Sequence, residues 1–274
     1  MGVRSLLRQT LKSASTRLFQ LVPGILGDGR LDRTLSVKRN GKVIFRVRDF
    51  GEITRMRAHT FESKEPETLR WIDGFPAGSA LLDVGANVGV YSLYAVAVGH
   101  DVVAVEPDAL NFALLHENIR LNQARSTNRF RAYPIALHDK FRISDLNVTG
   151  GEWGAALSSF DNTINFKGDA FRPLFSQGCI GVCLDDFLHE IRFLPTHIKI
   201  DVDGNEINVL RGASRTLASD QLQSILVELD ERRPDYEECL RLIAMSGFSL
   251  VEKSHGVAVA STAFAGSYNH IFRR

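Results

Sequence analysis

The sequence predicts an α/β fold, a mostly parallel sheet covered by helices on both faces and preceded by an N-terminal extension. Three observations carry this. Apolar runs of strand length alternate with helical patterns from residue 80 onward. The runs Ala80-Leu81-Leu82 and Ile198-Lys199-Ile200 are what strands buried on both faces require. The stretch from Leu81 to Tyr91 passes from an apolar strand through Asp83, Gly85, Asn87 and Gly89 directly into an apolar helix pattern. That is how a β-α-β unit opens.

Each element follows from its own pattern. Strands are expected at 80–84, 101–106, 129–134, 196–201 and 223–229, and helices at 88–98, 108–121, 205–218 and 234–246. Two last strands, near 249–251 and 269–272, suggest a hairpin. Residues 139–186 are the least regular portion, and the glycines around Trp153 suit a loop. Upstream, 23–34 reads as a loop, Asn40-Gly41 as a turn before a strand at 43–47, and 62–72 as a helix. The segment Gly74 to Gly78 closes that helix. A boundary near residue 75 separates an extension, 1–75, from a main domain, 76–274.

Composition narrows the function classes. The chain has 274 residues, 44% hydrophobic and 24% charged, ordinary values for a globular protein. A net charge of +1 gives no reason to expect nucleic acid as a partner. Three cysteines are too few for a disulfide scaffold and suit a reducing cytoplasm. No apolar run reaches the roughly 18 residues of a transmembrane helix. Residues 1–22 contain Arg4, Arg8, Lys12 and Arg17 and no acid, with Leu7, Leu11, Ala14, Leu18 and Leu21 on one helical stripe. This segment is expected to pack on the domain or on a second subunit. The alternative is weak attachment to an anionic membrane surface, which would make the protein peripheral.

The β-α-β unit carries a ligand signature. Glu106 ends the second apolar run, where an acid can accept two hydrogen bonds from a ribose diol. Glycines in the first turn let backbone and ligand approach closely. The dinucleotide form of this turn is G-x-G-x-x-G, but here Gly85 is followed by Gly89. The pattern favours a nucleoside without phosphates, fits S-adenosylmethionine (SAM), and argues against a nicotinamide dehydrogenase.

The strings LLDVGANVGVYSL, VVAVEPDALNFALLHENIRLN and IKIDVDGNEINVLRGA together resemble the FkbM family of SAM-dependent methyltransferases. The resemblance covers roughly residues 79–230. It implies the seven-stranded class I methyltransferase fold, SAM as donor and, most often, O-methylation of a sugar, glycan or secondary metabolite. By the same resemblance Asp83, Gly85, Asn87 and Gly89 line the SAM pocket and Glu106 holds the ribose hydroxyls. Asn111 faces the adenosine, and Ala136-Leu137 flank the adenine. Asp201, Asp203, Gly204 and Glu206 match the motif at the methyl-transfer end. The family commonly has Glu where this chain has Asp203.

The chemistry asks for alignment, exclusion of water and, for a hydroxyl, a proton acceptor. Asp201, expected at the carboxyl edge of its strand, is the first candidate for catalysis or substrate orientation. Its structural alternative is an ion pair with Lys199, itself a candidate for placing the substrate. Asp203 either binds substrate or caps the next helix, and Glu206 either binds substrate or serves the helix dipole. Trp153 and Glu152 either contact an acceptor or pack as a surface loop. The eight histidines form no cluster, and no metal site is assigned. N-methylation on the same fold and a non-catalytic SAM-binding protein are the competing readings.

Overall fold

The Asn40-Gly41 turn sets up the first element. Both residues adopt positive φ, 49° and 76°, the geometry that joins strands β1 (Thr34–Arg39) and β2 (Lys42–Arg48) in an antiparallel hairpin. The computed structural model describes residues 33–123, 129–255 and 265–274. The amphipathic segment 1–22 lies outside the described residues. Three short helices follow: α1 (Glu52–His59), α2 (Phe61–Lys64) and α3 (Pro66–Asp73). The single helix expected at 62–72 is broken at Glu65, whose φ and ψ are −136° and 69°. Pro66 explains this, because proline forces the preceding residue out of the helical region and starts a new helix well.

The main sheet holds seven strands: β3 (Ala80–Val84), β4 (Asp101–Val105), β5 (Phe130–Tyr133), β10 (His197–Ile200), β11 (Ser224–Asp230), β12 (Ser249–Ser254) and β13 (Ser267–Arg273). Their order is β12-β13-β11-β10-β3-β4-β5, and only β13 runs against its neighbours. The last two strands do pair, and β13 also joins β11, so it lies inside the sheet with β12 at the edge. Helices α4 (Val90–Ala97) and α5 (Ala109–Asn122) follow β3 and β4. The helix expected at 205–218 is split into α7 (Glu206–Arg211) and α8 (Ser214–Leu217). A second helix start is stabilised there by Asp185, whose carboxylate accepts from Arg215 N at 2.7 Å and Thr216 N at 2.9 Å. Asp185 belongs to α6 (Leu184–Ile191), and α9 (Tyr236–Met245) precedes β12.

Residues 139–186 are more ordered than their sequence suggests. Strands β6 (Ala136–His138), β7 (Arg142–Val148), β8 (Ser159–Phe160) and β9 (Phe175–Cys183) build a second sheet, ordered β6-β9-β7-β8. Its ladder pairs Ile143 with Ile180, both exposed, which removes the hydrophobic alternation that marks a strand.

The N-terminal layer shares its core with the main sheet. Val37, Phe45, Phe61, Leu69 and Trp71 pack with Leu81, Leu93, Val102 and Leu226. Trp71 Nε1 donates to Ser224 Oγ at 2.8 Å, tying α3 to β11. Among the described residues no helix is long and apolar enough to cross a membrane.

His197 on β10 lies in the same core. Its ring stacks on Phe75 with centroids 3.6 Å apart, and its Nδ1 meets Ser224 Oγ at 2.7 Å. Burial, then the neighbouring His100 and Arg273, push its pKa down to about 3. An unfolded histidine binds its proton near pH 6.5. Between those values the unfolded chain binds more protons, so stability falls as pH drops from about 6.5 toward 3. His197→Phe is expected to shrink the loss of denaturation midpoint between pH 7 and pH 5. An unchanged loss would remove His197 from this account.

Candidate active site

The strand registers place five residues side by side at the carboxyl edge of the main sheet. Val84 pairs with Val105 and with Ile200, Ile200 pairs with Val227, and Glu228 pairs with Asn269. One step further along each strand runs the row Glu106, Gly85, Asp201, Glu228, Asn269. All five line one cavity of about 490 Å³. Between β3 and β10 the chain's order reverses, the place where open α/β sheets leave a crevice. The N-terminal layer supplies Arg57, Lys64 and Glu65 to the walls, and a loop contributes Ala155 to Ser158.

At one end stands Glu106, buried at the end of β4. Its Oε2 accepts from Asn87 N at 2.8 Å and its Oε1 from Asp108 N at 2.9 Å. Burial pushes its pKa up to about 8, against the pull of those two N–H groups. Each oxygen keeps a further lone pair. Ala136 and Leu137 line the apolar wall of the same cavity with Ile135. Asn87 and Asn111 line it too, and both side-chain amides donate to Ala155 O, at 2.8 and 2.9 Å. Gly154 N donates back to Asn111 Oδ1 at 2.8 Å. The two asparagines therefore fasten the loop over the cavity.

The glycines of the turn serve the protein as well as any ligand. Gly85 has φ +80°, and a Cβ there would stand 1.8 Å from Asp201 O. Gly89 has φ +83°, lies outside the cavity lining, and faces Leu115 of α5, where a Cβ would come within 2.3 Å of Cδ1. The space Gly89 opens is filled by a helix. Asp83 sits one strand position below Val84, fully buried behind the lining, and accepts from Ser92 Oγ at 2.5 Å.

At the other end Asp201 and Asp203 line the cavity, while Lys199 is buried behind them. Lys199 Nζ is 2.7 Å from Asp201 Oδ2 and 5.5 Å from the Tyr91 ring centroid. Burial opposes the ammonium charge, but Asp201, Asp83 and Glu65 outweigh it and hold Lys199 charged. Burial would likewise raise Asp201, yet the charge and hydrogen bond of Lys199 bring it down to about 2. Asp203 adopts φ +55°, and its Oδ2 accepts from Leu157 N at 2.7 Å. Burial and the charge of Asp201 push it up to about 6.

Two expected substrate residues stand apart. Glu206 begins α7, and its Oε1 accepts from Gly204 N at 3.0 Å and Val202 N at 3.2 Å. It lines a small adjoining cavity, and burial pushes it up to about 7. Trp153 lies against Phe50, centroids 4.5 Å apart, outside the cavity lining. Pattern reading missed Glu228, although an acid inside the apolar strand ILVELD is a usable signal. Lys64 and Glu65, paired at 2.8 Å, have no such signal, because nothing in their own segment points to strand ends remote in the chain.

A carboxylate with spare lone pairs, an apolar wall and an acidic far end fit a nucleoside that carries a positive charge near that far end. Among the described residues no group of three or more His, Cys, Asp or Glu side chains is arranged to hold a metal ion.

Residues 83–250 match the methyltransferase FkbM domain. Methyltransferase 1 of Beauveria bassiana (strain ARSEF 2860) is 26% identical over 189 residues, 64% of this chain and 74% of that protein. A structure from Streptococcus mutans, assigned as a SAM-dependent methyltransferase, superposes with a TM-score of 0.50 at 10% identity, over 88% of this chain and 55% of that one. The magnesium protoporphyrin IX methyltransferase of Synechocystis PCC 6803, solved with bound SAM, gives 0.48 at 12% identity, over 94% and 96%. The domain match spans more than half of the chain, from Asp83 at the end of β3 to β12, and includes Glu106, Asp201, Asp203 and Glu228: the chain belongs to the FkbM methyltransferase family.

Proposed function

We propose that this methyltransferase uses SAM to methylate a hydroxyl of a small molecule or glycan. The observation that carries the reading is the row at the sheet edge. It sets Glu106 at one end of a single cavity and Asp201 and Glu228 at the other, and Asp203 lines the same cavity.

When bound, SAM supplies a methyl group already activated by its sulfonium. The protein's task is then to hold, orient, exclude water and remove a proton. Glu106 accepts hydrogen bonds from the ribose diol through the lone pairs that Asn87 N and Asp108 N leave unused. Ile135, Ala136 and Leu137 shield the base, and the loop fastened by Asn87 and Asn111 keeps water out. At the far end the two aspartates divide the work. A base serves best when its pKa lies near the working pH. Asp203, at about 6, meets that condition and takes the hydroxyl proton. Asp201, at about 2 and paired with Lys199, is a poor base and a good fixed charge for orienting the hydroxyl. Lys199 acts through Asp201. Arg57, Lys64 and Glu65 contact the acceptor from the N-terminal layer.

SAM and S-adenosylhomocysteine are expected to raise the melting temperature, as ligands that prefer the native state must. Glu106→Ala removes two hydrogen bonds to a charged group, roughly 1.5–3 kcal/mol each, and is expected to weaken SAM binding by at least about tenfold. Calorimetric titration reads this directly, and unchanged affinity would defeat the ribose assignment.

The same titration has a pH signature. The ligand favours the ionised carboxylate, so binding releases a proton while the free site keeps Glu106 near 8. Affinity is expected to climb from pH 6 to 8 and then level, and Glu106→Gln to flatten the climb. Equal wild-type affinity at pH 6 and 8 would contradict this.

Labelled SAM incubated with fractionated extract of the source organism identifies the acceptor. Mass spectrometry of the product then names the methylated atom, and a methyl on nitrogen would overturn the hydroxyl reading. With that acceptor, Asp203→Asn is expected to lower kcat by about 10²–10⁴ and leave SAM affinity unchanged. Wild-type kcat is expected to fall as pH drops below about 6.

A further inference from the structure

Glu228 stands beside Asp201 in the row, one strand over. It lines both the main cavity and the smaller one that Glu206 lines. Ser267 Oγ donates to its Oε1 at 2.8 Å. On β10 its neighbour is Asp201, one position past the pair Ile200–Val227, and the two side chains line the same cavity from adjacent strands. Ionised carboxylates only accept hydrogen bonds, so two neighbouring carboxyl groups repel unless one of them keeps a proton and donates it to the other. Lys199 decides which group keeps it. With Nζ 2.7 Å from Asp201 Oδ2, it holds Asp201 ionised, and the charge of Lys64 acts in the same direction.

We propose that Glu228 works as a neutral carboxylic acid, a hydrogen-bond donor that holds Asp201 from the β11 side while Lys199 holds it from within β10. Glu228 is thus a positioning residue for methyl transfer, and its function rests on the role proposed above for Asp201. A fixed and permanently ionised Asp201 leaves Asp203 as the group that gains and loses the proton.

The surroundings agree. Burial is the largest influence on Glu228 and raises its pKa well above the usual range, and the charges of Asp201 and Glu65 add to it. Lys64, on the N-terminal layer, opposes them. Across the smaller cavity stand Asp203, Glu206 and Asp230, with Arg233 as the cation. Ser267, on β13, is neutral. The acids around Glu228 outnumber the cations, and a second fixed negative charge beside Asp201 is disfavoured.

The test uses the full-length protein without ligand. An infrared difference spectrum at pH 7 between wild type and Glu228→Gln is expected to show loss of a protonated-carboxyl C=O band. Stability adds a second readout. A folded-state pKa raised above the unfolded value means that the folded chain binds the extra proton above about pH 4.3. That contribution is complete below the unfolded pKa and is lost as pH rises toward the folded one. The melting temperature of E228Q is therefore expected to gain on wild type between pH 5 and 8. No carboxyl band in the difference spectrum, or a constant gap in melting temperature, would show Glu228 ionised and overturn the proposal. Neither measurement needs SAM or an acceptor, so failure here is distinct from failure of the methyl-transfer reading. Once an acceptor is known, E228Q, which still donates a hydrogen bond, is expected to turn over faster than E228A. Equal rates would remove the donor role.

Discussion

The hydrogen-bond register from β4 through β3, β10 and β11 to β13 is the constraint on which the site depends. Side chains alternate along a strand, so a slip of one residue would send each member of the row to the opposite face. The register is pinned because these strands are buried on both faces, with Leu82, Val103, Ile198 and Val227 in one core and Leu81, Val102 and Leu226 in the other. Core packing therefore decides where Glu106, Asp201 and Glu228 stand. That edge inherits its precision from residues packed inside the two cores.

That edge concentrates acids where burial makes charge costly. Glu65, Asp83, Asp201, Asp203 and Glu228 meet two buried or half-buried lysines, Lys64 and Lys199. Uncompensated buried charge is expensive, so the acids without a cation shift toward the protonated state. Lys199 holds Asp201 and Lys64 holds Glu65, each at hydrogen-bond distance. Glu65 consequently falls below its usual range even though burial pulls the other way. Asp83 rises instead, because burial exceeds the pull of Lys199 and Ser92. Two lysines thus divide a group of like acids into fixed charges and titrating groups, the division that the proposed proton removal would use.

Much of the Glu106 end of the cavity was legible because it is local in the chain. Asp83, Gly85, Asn87 and Glu106 belong to one β-α-β unit, and strand and helix periodicity places them. What the pattern could not tell was the use of each residue. Gly89 reads as room for a ligand, yet Leu115 occupies that room, and Asp83 reads as a pocket residue, yet Ser92 holds it behind the wall. The second sheet was hidden for a different reason. Ile143 and Ile180 pair on an exposed face, and Gly178 and Gly181 interrupt β9, so its strands carry little of the expected alternation. Trp153 stood out by composition, but its ring packs with Phe50, and it is Ala155 to Ser158 that line the cavity.

The end of the cavity proposed for the acceptor is non-local, and this difference has a functional consequence. Lys64 and Glu65 come from the N-terminal layer, Leu157 and Ser158 from the loop before β8, Glu228 from β11, and Ser267 and Asn269 from β13. These groups come from four segments that are remote from one another in the chain. Glu65 takes its place because Pro66 breaks the helix beside it, and Leu157 because Asp203 receives its N–H. Each can therefore change with its own segment while the register and Glu106 stay as they are. Donor recognition built from one contiguous unit can be shared across a family, whereas acceptor recognition assembled from separate segments is free to differ between its members.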